Sequence, residues 1–240
     1  MEMRLPAAEQ RWSNLALLRL SAFSFGLNGF IMAIDMIILP VLVLAVAPEG
    51  LRNTYVGLLG FSGLIAAAVV QPIVGRYSDR THSRLGRRVP YLLWGCTFAS
   101  LGLAGIGLAS SYSSYLALFG IWLFIQVNAN VAYGPYQALI PDLVPRHRIG
   151  IAASWKILSD AAGGLVLIAL TGVLIGRYTG AASINWLWLT LGLLGVSLMV
   201  TGVITTLTVR SRETAAGPVP APTRQPRRSA KVGLHPQLTR

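Results

Sequence analysis

An all-α membrane protein of six transmembrane helices is the fold class this sequence predicts, and three observations predict it. First, of its 240 residues 54% are hydrophobic and only 12% are charged. That charge fraction is about half of what soluble domains carry, and a soluble domain so apolar would expose aggregating patches. Second, apolar runs of membrane-spanning length recur six times; a ~30 Å hydrocarbon core needs ~20 helical residues. Third, the basic residues collect in the short connections between these runs. The connection at residues 75–90 holds five arginines and one aspartate. A short loop so basic stays on the cytoplasmic side during insertion and orients the helices around it.

Taken in order, the runs place helices at about residues 17–44, 55–75, 90–110, 115–139, 150–176 and 186–209. Pro48 opens the first connection, and Pro90 stands where a helix tolerates proline, in its first turn. The first run is too long for a signal-peptide core and lacks a small-residue cleavage site after it, so it reads as a retained helix. On the side of the central loop fall 17 lysines and arginines, against Arg52 and Arg177 on the other side and Lys156 within a helix. This bias predicts both termini in the cytoplasm. The division is an N-terminal segment 1–14, a membrane domain 15–209, and a proline- and arginine-rich tail 210–240. The tail has too little apolar surface to fold by itself. It reads as a solvated terminus or as a polybasic strip on anionic lipid, at about 1 kcal/mol per basic residue.

The net charge of +12 would fit nucleic acid if it were clustered, but its spread over loops and tail argues against such a partner. The single cysteine, Cys96, lies in an apolar run and reads as packing. The histidines, His82, His147 and His235, all lie in loops or the tail. No metal spacing, phosphate loop or nucleophile–base set is visible, so neither an enzyme nor a metal or cofactor site is expected. Residues 75–78 (Gly-Arg-Tyr-Ser) and 176–179 (Gly-Arg-Tyr-Thr) echo each other at helix ends of opposite side, as an inverted three-plus-three repeat would place them.

Polar side chains inside the helices carry the functional signal, because a charge at a helix centre costs about 2.5–3.5 kcal/mol. The first helix holds Ser24, Asn28 and Asp35 on one face. Asp35 reads as a cavity carboxylate for a cation, proton or hydroxyl, or as a structural charge paired across helices. The fourth holds Gln126, Asn130, Tyr133 and Gln137 at steps of four, three and four. Amides and rings suit polyhydroxyl ligands, and they also serve as interhelical hydrogen bonds. The fifth holds Lys156 and Asp160, one turn apart, which either neutralise each other or part when a ligand binds. The third and sixth helices carry no charge within their spans and are expected to face lipid.

The central loop resembles the loop between helices two and three of the major facilitator superfamily. Gly75, Asp79, Arg80, Gly86, Arg87 and Arg88 fill the pattern. The spaced form, Asp-Arg-Thr-x-Ser-Arg-x-Gly-Arg-Arg-x-Pro, is similar to the sugar:cation symporter branches, glycoside–pentoside–hexuronide and sucrose-transporter-like. Gly134-Pro135-Tyr136-Gln137-Ala138-Leu139, leading to Asp142, is a second match. The resemblance covers about residues 15–209, one six-helix half of a fold that normally has two.

The resemblance implies alternating-access transport of a small solute such as a sugar, proton- or cation-coupled, in the plasma or inner membrane. It implies a cytoplasmic gate of Gly75, Asp79, Arg80, Gly86, Arg87, Arg88 and Asp142. In that gate Arg80 would pair with Asp142, and Asp79 would meet the start of a helix of the other half. The sequence departs from the branches where they carry coupling acids, which leaves Asp35 or Asp160 for that role. A second copy in the same orientation, or a separate C-terminal half, would complete the pathway. The alternative is a truncated half-transporter without activity, or a membrane subunit of another protein.

Overall fold

The computed structural model describes residues 12–81, 83, 85–112, 114–179 and 183–216. Residues 1–11 of the expected N-terminal segment, 217–240 of the expected tail, and His82 and His235 lie outside the described residues. The described chain is helical, and six helices are long and apolar enough to cross a membrane. The first span is built from α1 (Asn14–Ala33), one turn of π-helix (Ile34–Ile38) and α2 (Leu39–Val46). The second is α3 (Arg52–Arg80) and the third α4 (Val89–Tyr112). The fourth joins α5 (Tyr115–Gln137) to the short α6 (Leu139–Leu143); the fifth is α7 (Ile149–Ile175) and the sixth α8 (Ile184–Ala216).

Local chemistry explains the ends. Ser13 and Ser114 cap α1 and α5, their hydroxyls accepting from Ala16 N at 3.2 Å and Ala117 N at 3.4 Å. Helix α3 outlasts the apolar run, which ends near Gly75, because nothing between Arg76 and Arg80 breaks a helix. Likewise α8 continues beyond Val209 to Ala216, and Gly217-Pro218 follow in the sequence. The π-turn has a cause in Pro40. Proline offers no N–H to the preceding turn, and the helix widens there, so that Leu39 N bonds Ile34 O.

The spans alternate in direction. Helices α1 and α7 run parallel, with Gly29 facing Gly163 and Ile37 facing Gly172. Helices α3 and α5 are also parallel, with Gly63 against Gln126 and Gln71 against Gly134. Helix α4 lies antiparallel between α5 and α8, and α8 antiparallel against α1. The packing order is therefore α3, α5, α4, α8, α1, α7. The central loop and the turn after α7 lie at opposite ends, so the two echoing tetrapeptides do as well.

Small residues set these spacings, as they do where lipid gives helices no hydrophobic reason to associate. A Cβ on Gly163 would overlap the Phe25 carbonyl, and one on Gly29 the Gly163 carbonyl. Thr205 ties α8 to α1 differently. Its hydroxyl accepts from Phe23 N at 3.0 Å and donates to Arg19 O at 3.1 Å, entering the backbone ladder of α1. At the far end, away from the central loop, Arg177 stacks on Trp186 at 4.8 Å and joins the end of α7 to the start of α8.

Burial corrects one expectation. Half of the apolar stretch of α4 is buried, against 17% for α3. The absence of charge in the third span reflects close packing on α5 and α8, through Gly95, Gly102 and Gly107, rather than a lipid-facing role. Cys96 is buried and free, facing Gly202.

The glycine contacts give a direct test. Gly163→Val should lower thermal stability in detergent by about 1–3 kcal/mol, the ordinary cost of overpacking. Gly57→Ala, which meets open space inside α3, should not lower it. Unfolding followed by tryptophan fluorescence checks both.

Candidate functional site

Three polar constellations are built on this frame, two within the bundle and one at its basic end. Within the bundle, the fourth-span stripe meets a partner the sequence did not single out. Gln71 of α3 donates from Nε2 to Asn130 Oδ1 at 2.7 Å and accepts from Gln137 Nε2 at 3.0 Å. Asn130 Nδ2 in turn donates to Gln126 O at 2.8 Å. Gln126 lies over Gly63, where a Cβ would collide with its amide. Gln126 and Asn130 are buried, Gln71 is half-buried and Gln137 is exposed, so the ladder opens outward toward its last member.

A second set joins α1, α5 and α7. Asn28 Nδ2 donates to the backbone oxygen of Asp160 at 2.7 Å. Lys156 Nζ donates to Asp160 Oδ2 at 2.8 Å and lies 5.6 Å from the centre of the Tyr133 ring. Tyr133 stacks on Tyr136 at 6.3 Å. The Tyr136 hydroxyl shares a 2.8 Å hydrogen bond with Ser24, and its ring meets Phe23 edge-on at 4.8 Å. Asn28, Tyr133, Lys156 and Asp160 are half-buried, so this set is accessible rather than sealed. Helices α4 and α8 contribute nothing to either set.

Asp35 stands apart. It lies in the π-turn, its Oδ1 is buried without a hydrogen-bond partner, and none of the ion pairs among the described residues involves it.

The basic end is organised by Arg88. The loop reverses at Gly86, whose φ of 107° is the left-handed conformation glycine adopts without strain. This delivers Arg87 and Arg88 beneath the end of α5. Arg88 donates to Asp79 Oδ1 at 3.0 Å, to Asp142 Oδ2, and to Pro135 O at 3.2 Å. Its side chain is only 6% exposed. Arg87 donates to the same Asp142 oxygen at 3.0 Å. A cation here also satisfies the negative end of the α5 dipole. Both pairings implied by the resemblance differ from this. Asp142 is held by Arg87 and Arg88, while Arg80, exposed at the last position of α3, joins neither carboxylate. Asp79 has a partner within the chain.

A family model described as MFS/sugar transport protein matches residues 21–240. The chain belongs to that family. It is a family of multi-pass membrane transporters rather than enzymes. A sucrose transport protein of rice (Oryza sativa subsp. japonica) is 32% identical over 138 residues, 48% of this chain and 26% of the relative. The general alpha-glucoside permease of Schizosaccharomyces pombe is 27% identical over 177 residues, 68% of this chain and 32% of the relative. The matched stretches thus span about a quarter to a third of these relatives.

Gln71 and Tyr136 are the site members that the periodicity of polar residues did not mark. A lone amide in an otherwise apolar second helix was the available signal for Gln71. For the basic end, truncating Arg88 to alanine should destabilise the detergent-solubilised protein by about 1–3 kcal/mol, since two carboxylates and a carbonyl lose their donor. Arg80→Ala should have no measurable effect in the same thermal assay.

Proposed function

We propose that the chain forms one six-helix half of an alternating-access transporter for a sugar or similar polyhydroxyl solute in the cell membrane, with both termini cytoplasmic. The observation that carries this reading is the half-open polar seam on α1, α3, α5 and α7. In an apolar bundle, amides, a phenol ring and a self-neutralised ion pair gathered on one side are expensive unless they meet a polar ligand. Asn28, Gln126, Asn130 and Gln137 both donate and accept, and Tyr133 offers a stacking face; these are the groups hydroxyl-rich rings require. The sugar-transport family and the sucrose and alpha-glucoside relatives support the same class of solute.

A seam on one half needs an opposing wall. A second copy in the same orientation, or a C-terminal half supplied separately, would provide it, in the parallel arrangement that related halves adopt. The exposed apolar sides of α3 and α7 fit that role. The Asp79, Asp142, Arg87 and Arg88 cluster would close the cytoplasmic end, and Gly75 and Gly86 would shape it. Arg80, outside the cluster, would be free to reach the opposing half. The short coverage of the relatives keeps the alternative in view, a half-transporter inactive by itself or a membrane subunit.

Uptake by the purified chain in vesicles, across a panel of sugars, tests the proposal. Saturable uptake of one sugar class is expected. Tyr133→Leu should lower it about tenfold, equivalent to ~1.4 kcal/mol of lost contact. Absence of uptake for every sugar, both for the chain alone and with a co-reconstituted C-terminal half, would overturn the transport reading.

A further inference from the structure

We propose that Asp35 is the proton-binding carboxylate of this protein and that Asp160 is not. The coupling role rests on the transport reading; the proton-binding site itself does not.

The two intramembrane carboxylates sit in opposite situations. Asp160 accepts from Lys156 at 2.8 Å, and the pair is neutral as it stands. Asp35 has no counter-charge, and its Oδ1 is buried without a partner. The elements packed on its turn are α1, α2 and α7. They offer no compensation. Between Arg19 and Asp35 the first span has no titratable residue, α2 has none, and α7 has none after Asp160. Asp160 itself lies level with Asn28, seven residues before Asp35, or about 10 Å along the helix axis.

The surroundings suit the neutral acid. Pro40 gives no N–H to the carbonyls of the widened turn, so acceptors lie close in sequence to the carboxyl. On α7, Thr171 Oγ1 is a second buried and unpartnered polar atom, next to the glycine that faces Ile37 of the same turn. π-Turns inside helices concentrate at functional sites. A metal cation would want several oxygen ligands. Among the described residues no group of three His, Cys, Asp or Glu side chains is assembled. The step is a simple one. The carboxylate takes one proton from water on one side of the membrane, becomes the neutral acid, and returns the proton to water on the other side.

Two arms test this on the full chain reconstituted in lipid. Infrared spectra across a pH titration should show a protonated carboxylic acid that is lost in Asp35→Asn and kept in Asp160→Asn with Lys156→Met. Survival of the band in Asp35→Asn, or its loss only in the paired variant, would overturn the assignment. In uptake assays, a proton gradient should stimulate the wild type. In Asp35→Asn the ratio of gradient-driven to gradient-free uptake should fall to unity. A persistent ratio in that variant, or stimulation by a sodium gradient alone, would count against the proposal. If no sugar is taken up at all, the transport reading fails, and the infrared band alone decides whether Asp35 binds the proton.

Discussion

The close contact of α1 with α7 positions the polar groups that these two helices carry into the bundle. Gly29 and Gly163 bring two backbones within reach of each other, with no room for a methyl group on either. In lipid, where apolar side chains gain nothing by leaving their surroundings, such backbone approach is a main source of helix association. The contact places Asn28 on the Asp160 carbonyl and sets the Lys156–Asp160 pair beside Tyr133. Loosened, that contact would leave the polar groups of α1 and α7 without the partners that make them tolerable in hydrocarbon.

The same rule governs the two ends of the polar seam. On the α3–α5 side, the side-chain amides of Asn130, Gln71 and Gln137 bond in series, anchored on the backbone carbonyl of Gln126. A ladder of this kind is rigid where buried and free where it ends. In the proposed transporter, its exposed terminus at Gln137 would exchange a protein partner for a ligand. On the α1–α7 side the ion pair does the equivalent work with charge. Asp35 is the exception, a carboxylate left without a partner in a turn that the helix itself has widened.

The basic end obeys a different logic, since it borders water. There one arginine serves two carboxylates and a helix C-terminus at once. Arg88 can do so because Gly86 turns the chain back sharply. A guanidinium presents several donors in a fixed plane, which suits acceptors on three different segments. The result fastens the ends of α3 and α5 together.

Six spans, their limits to within a few residues and the family resemblance were all legible in the sequence, because hydrocarbon thickness fixes apolar length and the loop motif is local. So was the fourth-span stripe, since helical periodicity alone puts Gln126, Asn130, Tyr133 and Gln137 on one face. The partners were not legible. Which helices touch depends on where glycines permit approach, a property of two surfaces at once. For that reason the third span proved packed rather than lipid-facing, Gln71 was not counted among the site residues, and Asp142 was assigned to Arg80 in place of Arg87 and Arg88. Sequence declares which groups are costly to bury in a membrane; only the tertiary structure decides which of them are compensated and which, like Asp35, are not.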